Sequence, residues 1–311
     1  MYHFTPFANT VDEFLLYYGR TKFSVCESLT KKSKNSTFIF AFLRNYWIAA
    51  VGDSFASGEG NPDVPAKIST TSPAQWLSEQ CHRSSRSWAF KVYQKLVNGT
   101  KQAALHFSYL PCSGASVDNG IVSSSFGEPQ GSGPELLLIS AGGNDIGYSE
   151  ILSKLSWGET RSLFSSIDMR FFYVSHQLDK LAAKVREIKP KQVIIPHYFD
   201  LSRNEKGIVD ANCSELKQIS TKNLVLAERK ILKRINKLIS QKAREQSWTV
   251  IDNISAIFRF RGLCSTKPLI RSTKDSLRLQ GNIFGAFHPT EEAHQQIAEL
   301  ILKQIKSFQQ K

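Results

Sequence analysis

A serine hydroxyl is a weak nucleophile until a base within hydrogen-bond reach takes its proton, and the oxyanion it creates on an ester needs preorganised N–H donors. Four stretches carry residue types that meet those needs. Ser54 follows an apolar run in "WIAAVGDSFASGEG", where glycines leave a hydroxyl exposed at a turn. Gly114 in "PCSGAS" lets a backbone N–H approach a ligand with no side chain in the way. Asn144 in "ISAGGND" follows an apolar run and two glycines, so its amide can reach the same rim. His288 in "FGAFHPTEEAHQQIAELI" stands before an amphipathic helix that Pro289, at the first helical position, and Glu291 and Glu292 are expected to open. Each has a plainer reading alone: Ser54 as a helix cap, Asn144 as an ordinary turn residue, the glycines as bends.

Together and in this order, "GDSFASGEG", "SGA", "GGND" and "HPT" resemble the four blocks of the SGNH (GDSL-type) hydrolases over roughly residues 47 to 305. The resemblance implies a three-layer α/β/α sandwich with a mostly parallel, flavodoxin-like sheet, and hydrolysis of carboxylic esters. It makes Ser54 the nucleophile and His288 the base, with the Ser54 N–H, the Gly114 N–H and the Asn144 side chain as oxyanion hole. The family commonly has Asp three residues before the histidine, where this chain has Gly285. Either Asp275 substitutes, or a backbone carbonyl near Gly285 accepts the Nδ1 proton; we expect the Gly285 carbonyl, which fixes the tautomer but stabilises an imidazolium less than a carboxylate does. "CHRSSRSW" and "LPCSGAS" resemble a secreted branch of the family, implying a Cys81–Cys112 bridge, and by the same resemblance "ANCSEL" and "RGLCST" imply Cys213–Cys264.

The elements that must position these residues read as alternating strands and helices. "WIAAVGDS", "LLLISAGGND", "QVIIPHYFD" and "TVIDNI" are short apolar runs with polar ends. Helical periodicity is clearest in "MRFFYVSHQLDKLAAKVREI", "NLVLAERKILKRINKLISQKAREQ" and "EEAHQQIAELILKQI". Such alternation predicts a parallel sheet covered on both faces, with ligands outside the carboxyl ends of the strands. Residues 112 to 134, rich in Gly and Ser, read as loop. Residues 1–45 read as a loop-rich extension ahead of a catalytic domain at 46–311.

The 311 residues contain 40 Lys plus Arg against 27 Asp plus Glu, a formal charge of +13. The basic residues are dispersed, and their densest group follows helical spacing, which favours a solvated helix face over a nucleic-acid surface. The excess suits an anionic membrane surface. No apolar run is long enough to cross a bilayer, and the start lacks the pattern of a secretory signal. The five cysteines show no metal spacing, and apart from the resemblance they serve equally as buried thiols; no metal and no cofactor is expected. Sequons at Asn35, Asn98, Asn212 and Asn253 lean towards the secretory route.

The expected protein is a monomeric serine ester hydrolase acting on a lipid or small acyl ester. Alternatives are a phospholipase or acyltransferase with the same site, and a non-catalytic binding protein on the same fold. Asp53 and Asp145 are expected to hold loops, His294 to be solvated, and His197 to be structural; Glu59 receives no role. Phe55, Phe126 and Trp157 are candidates for the acyl pocket or the core.

Overall fold

The structure, a computed structural model, describes residues 44–67, 72–99, 103–123, 133–210 and 215–305. The extension expected at 1–45 falls almost wholly outside them, as do Phe126 and Cys213. The compact unit begins at Arg44.

Its centre is a parallel sheet. The first strand, β1 (Arg44–Gly52), buries Ile48, Ala49, Ala50 and Val51 in succession, as a strand covered on both faces requires. It lies between β2 (Ala103–Tyr109) and β3 (Leu136–Ser140), and beyond β3 come β4 (Gln192–Pro196) and β5 (Thr249–Ile251), in the order β2-β1-β3-β4-β5. All four pairings are parallel. The chain therefore leaves β1 towards one side and returns on the other, and the crevice between the carboxyl ends of β1 and β3 is the topological switch point where such sheets bind ligands.

Strand β2 escapes the sequence reading because it is an edge strand. Its apolar side chains are only half-buried and pack as a stack of rings, Phe107 lying 4.5 Å from Tyr93. Tyr93 belongs to a helix equally unforeseen, described next.

A single turn, α1 (Ser54–Ser57), follows β1, and α2 (Trp88–Gly99) runs back along the sheet. After β3 come α3 (Tyr148–Ser156), α4 (Thr160–Ser165) and the long α5 (Ile167–Ile188). After β4, α6 (Thr221–Ala227) continues through a π-helical turn at Glu228–Leu232 into α7 (Lys233–Glu245). Two short helices, α8 (Ile254–Phe258) and α9 (Thr273–Gln280), precede α10 (Glu291–Leu302). α10 packs on α2 and α8, and α5 packs on α7, giving the helical layers of an α/β/α sandwich.

The structure departs from two local expectations. Pro289 is not the first helical residue: the Thr290 side chain accepts the Ala293 N–H and caps α10, which starts at Glu291. His294 is not solvated. It is 0% exposed, on the face shared by Ala293, Ile297, Ala298 and Ile301, and its Nδ1 accepts the Trp88 N–H at 3.1 Å. Burial first, and then the nearby positive charges, push its pKa down to about 3, so it stays neutral.

Candidate active site

Ser54 opens α1 because Asp53 caps it. The Asp53 backbone is extended, and its Oδ1 accepts the Phe55 N–H at 3.0 Å. The same carboxylate receives the Ser140 hydroxyl from the end of β3 and the Tyr198 hydroxyl at 2.6 Å from beyond β4. Tyr198 Oη in turn accepts the Gly143 N–H at 2.8 Å. Burial, reinforced by the Asp53 charge, holds the Tyr198 pKa far above the usual phenol range, so the hydroxyl remains a donor. One buried carboxylate thus ties together the three strand ends that carry "GDS", "GGND" and "HYFD". Tyr198 had no place in the sequence reading; only its position after an apolar run hinted at the rim.

His288 arrives from the other side of the crevice. Its Nε2 lies 2.8 Å from Ser54 Oγ. Its Nδ1 lies 3.0 Å from the carbonyl oxygen of Ala286. A carbonyl only accepts, so Nδ1 carries the proton and the Nε2 lone pair faces the serine hydroxyl. This carbonyl is Ala286's and not the expected Gly285's, whose oxygen accepts the His288 backbone N–H at 3.3 Å. Phe287, in the left-handed region at φ 66°, reverses the chain between Ala286 and the histidine. Asp275 does not face the ring: it sits in the first turn of α9, bonded to Ser272 at 2.9 Å and Arg278 at 3.4 Å.

The His288 loop is fixed by backbone pairing. The Arg271 N–H donates to His288 O at 2.8 Å, and the Phe287 N–H to Arg271 O at 2.9 Å. The Arg271 side chain continues to Gly60 O and Asn61 Oδ1, while Asn61 Nδ2 reaches Pro289 O at 2.9 Å. The segment after the serine therefore clamps the loop that bears the histidine.

On the third side, Asn144 Nδ2 donates to Ala115 O at 2.8 Å, leaving its second amide hydrogen for another acceptor. Asp145 Oδ1 accepts the Val117 N–H at 3.0 Å; burial raises its pKa above the usual range. These bonds hold the "SGAS" loop against "GGND". Gly114, at φ 81°, has no atom within 4 Å of the place a Cβ would take. The loop is also anchored by the Cys81–Cys112 disulfide, S–S 2.06 Å, and by the Cys112 N–H on Gly52 O at 2.9 Å. Cys264 is disulfide-bonded as well, while Cys213, its expected partner, lies outside the described residues.

Ser54 and His288 line a pocket together with apolar side chains of α3 (Ile151, Leu155) and of the α6–α7 helix (Leu224, Ile231, Ile235). Phe55 lines it; Trp157, 79% exposed, does not. His197 lies apart from Ser54, its Nε2 2.7 Å from Ser240 Oγ. No group of His, Cys, Asp and Glu suited to a metal occurs among the described residues.

Known proteins carry the same fold. Lipase 1 of Streptomyces coelicolor is 26% identical over 253 residues, covering 78% of this chain and 80% of the relative. The crystal structure of an extracellular lipase from Streptomyces rimosus matches with a TM-score of 0.62 at 20% identity, covering 83% of this chain and 98% of that one. Phospholipase A1 from Streptomyces albidoflavus gives a TM-score of 0.59, also at 20% identity and with the same coverage of both chains. Residues 50–296 match the GDSL-like Lipase/Acylhydrolase family, spanning every strand but the start of β1. The chain belongs to that family and is a carboxylic ester hydrolase.

Proposed function

We propose that this protein hydrolyses esters of aliphatic acids through an acyl-enzyme formed on Ser54. His288 Nε2 takes the Ser54 proton as Oγ attacks the ester carbonyl, then gives it to the leaving alcohol; water repeats the sequence and releases the acid. The Ser54 N–H, the Gly114 N–H and the free hydrogen of the Asn144 amide receive the oxyanion. The observation that carries the reading is the 2.8 Å contact from His288 Nε2 to Ser54 Oγ in the wall of an apolar pocket.

The pocket wall favours an aliphatic acyl chain, since each methylene it buries contributes about 0.8 kcal/mol, or about fourfold in kcat/KM. The net charge of +13 suits a substrate presented at an anionic lipid surface. Export to an oxidising compartment is supported by the Cys81–Cys112 bridge.

A 4-nitrophenyl ester series from acetate upwards, run beside anionic and zwitterionic phospholipid vesicles, tests both parts. Activity should vanish in Ser54→Ala, and kcat/KM should climb with chain length until the pocket is full. Equal turnover by wild type and Ser54→Ala would refute the site, and a series that peaks at acetate would refute the acyl assignment.

A further inference from the structure

Glu59 is a carboxylate that the site as drawn above does not use. It is 1% exposed, and its two oxygens are taken by Gln280 Nε2 at 2.8 Å and His82 Nδ1 at 2.7 Å. His82 is stacked on Trp76, the ring centres 4.5 Å apart. The Glu59 backbone N–H donates to Ser54 O at 3.2 Å, so the residue is tied to the nucleophile's own turn.

Gly285 holds the position at which the family commonly has its acid, and here no side chain fits. A Cβ at Gly285 would lie 2.6 Å from Gly60 Cα and 2.7 Å from Gln280 Oε1. The space is taken by the residue after Glu59 and by the amide that binds Glu59. Gln280 Oε1 also accepts the Gly60 N–H at 3.1 Å. From one hydrogen bond away, then, a buried negative charge adjoins the place where that acid's side chain would begin.

We infer that Glu59 is a positioning residue for the reaction proposed above, whose charge stabilises the His288 imidazolium in place of the acid that Gly285 excludes. The Ala286 carbonyl orients the ring but carries no full charge to balance the cation that forms when Ser54 gives up its proton. Burial opposes ionisation of Glu59, but the hydrogen bond from His82, the field of His288 and a hydrogen bond from Ser113 together hold its carboxyl below the usual range. Facing it are His82, itself under the influence of Glu79, and His288. Arg271 faces Gly60 and Asn61 next to it, and Asp275 acts on Arg271. Of these, His82 governs the effect: as a cation it offsets the Glu59 charge, and once neutral it leaves that charge to His288.

The inference rests on the Ser54–His288 reading, and its test separates the two. Glu59→Gln keeps the shape and removes the charge. We expect kcat on a 4-nitrophenyl ester to fall about tenfold with KM unchanged, equivalent to about one pKa unit of lost cation stabilisation. The deficit should widen from pH 6 to pH 9, stay constant with pH in a His82→Gln background, and be partly restored by Glu59→Asp. If Glu59→Gln does not fold, His82→Gln, which removes the offsetting cation and spares the carboxylate, should raise kcat above wild type at pH 6 and leave it unchanged at pH 9. Wild-type kcat in folded Glu59→Gln, a deficit equal at both pH values, or wild-type kcat for His82→Gln at pH 6 overturns the assignment. A 4-nitrophenyl alkylphosphonate that labels Ser54 equally fast in wild type and Glu59→Gln overturns it alone; failure to label wild type overturns the site and this inference together.

Discussion

The two halves of the proposed catalytic pair are held by opposite means. On the nucleophile side, one carboxylate, Asp53, gathers a backbone N–H, a serine hydroxyl and a tyrosine hydroxyl from three strand ends. On the base side, the ring of His288 rests on a neutral carbonyl, and its loop is paired backbone to backbone with Arg271. Full charge thus fixes the turn that carries the serine, and dipoles fix the ring that must take on and release a charge. A carboxylate that must stay put can be buried under several donors, whereas a base whose charge changes is better served by partners that tolerate both of its states.

The comparison breaks most sharply at the base. His288→Ala should lower kcat by about 10⁴-fold or more, as loss of a triad member does. Active-site titration beside steady-state assays would show whether the folded enzyme persists. Asp53→Asn should come next: an amide cannot accept three donors in the same places, so we expect about 2–3 kcal/mol of lost stability and at least a tenfold fall in kcat, read from urea unfolding and turnover. Tyr198→Phe leaves the Gly143 N–H without its acceptor; a cost of about 1–2 kcal/mol and a several-fold fall in kcat should follow, the rotation of "GGND" being visible in amide exchange. Asp275→Ala should change kcat less than about twofold, because that side chain serves Ser272 and Arg278. A loss approaching that of His288→Ala would make Asp275 the orienting acid after all.

The smallest effect is on stability against pH. The hydrogen bond that His82 donates to Glu59 raises the pKa of His82 above its usual value, so its contribution is full below pH 6.5 and is lost as pH rises through the folded value. The lowered pKa of Glu59 gives a contribution present above pH 4.5 and lost as pH falls through its folded value. The pair therefore stabilises most between those limits. The Tm difference between wild type and His82→Gln should be larger at pH 5.5 than at pH 8.5; an unchanged difference would mean that His82 does not titrate between these values.

Much of this frame was legible because its residues are local signals. "GDS" and "GGND" end runs that are apolar on both faces, short and closed by glycines, which read as central strands, so their position at the rim follows. What stayed hidden depends on contacts between distant segments. β2 lacks the continuous apolar signature because it lies at the edge. His294, expected in solvent, is placed on the buried face by its spacing to Ile297, Ala298 and Ile301. Glu59 and Tyr198 have no motif of their own. A charged residue between two glycines gives no sign that it will be buried, and only the approach of Gly60 to Gly285, across more than two hundred residues of chain, reveals it. The choice of Ala286 over Gly285 was equally out of reach, since it turns on one left-handed residue at Phe287.

The π-helical turn at Glu228–Leu232 stands in the wall of the pocket that holds Ser54, where Ile231 and Leu232 line the cavity and Glu228 pairs with Arg203 at 2.8 Å. Such a turn accommodates one residue more than a regular helix needs. Deleting that residue would restore a regular helix at the turn and change which side chains there meet the ligand, while α6 and α7 keep their faces. Here a single-codon deletion is a route to altered substrate size, open to selection or to an engineer, that leaves Ser54 and its partners where they are.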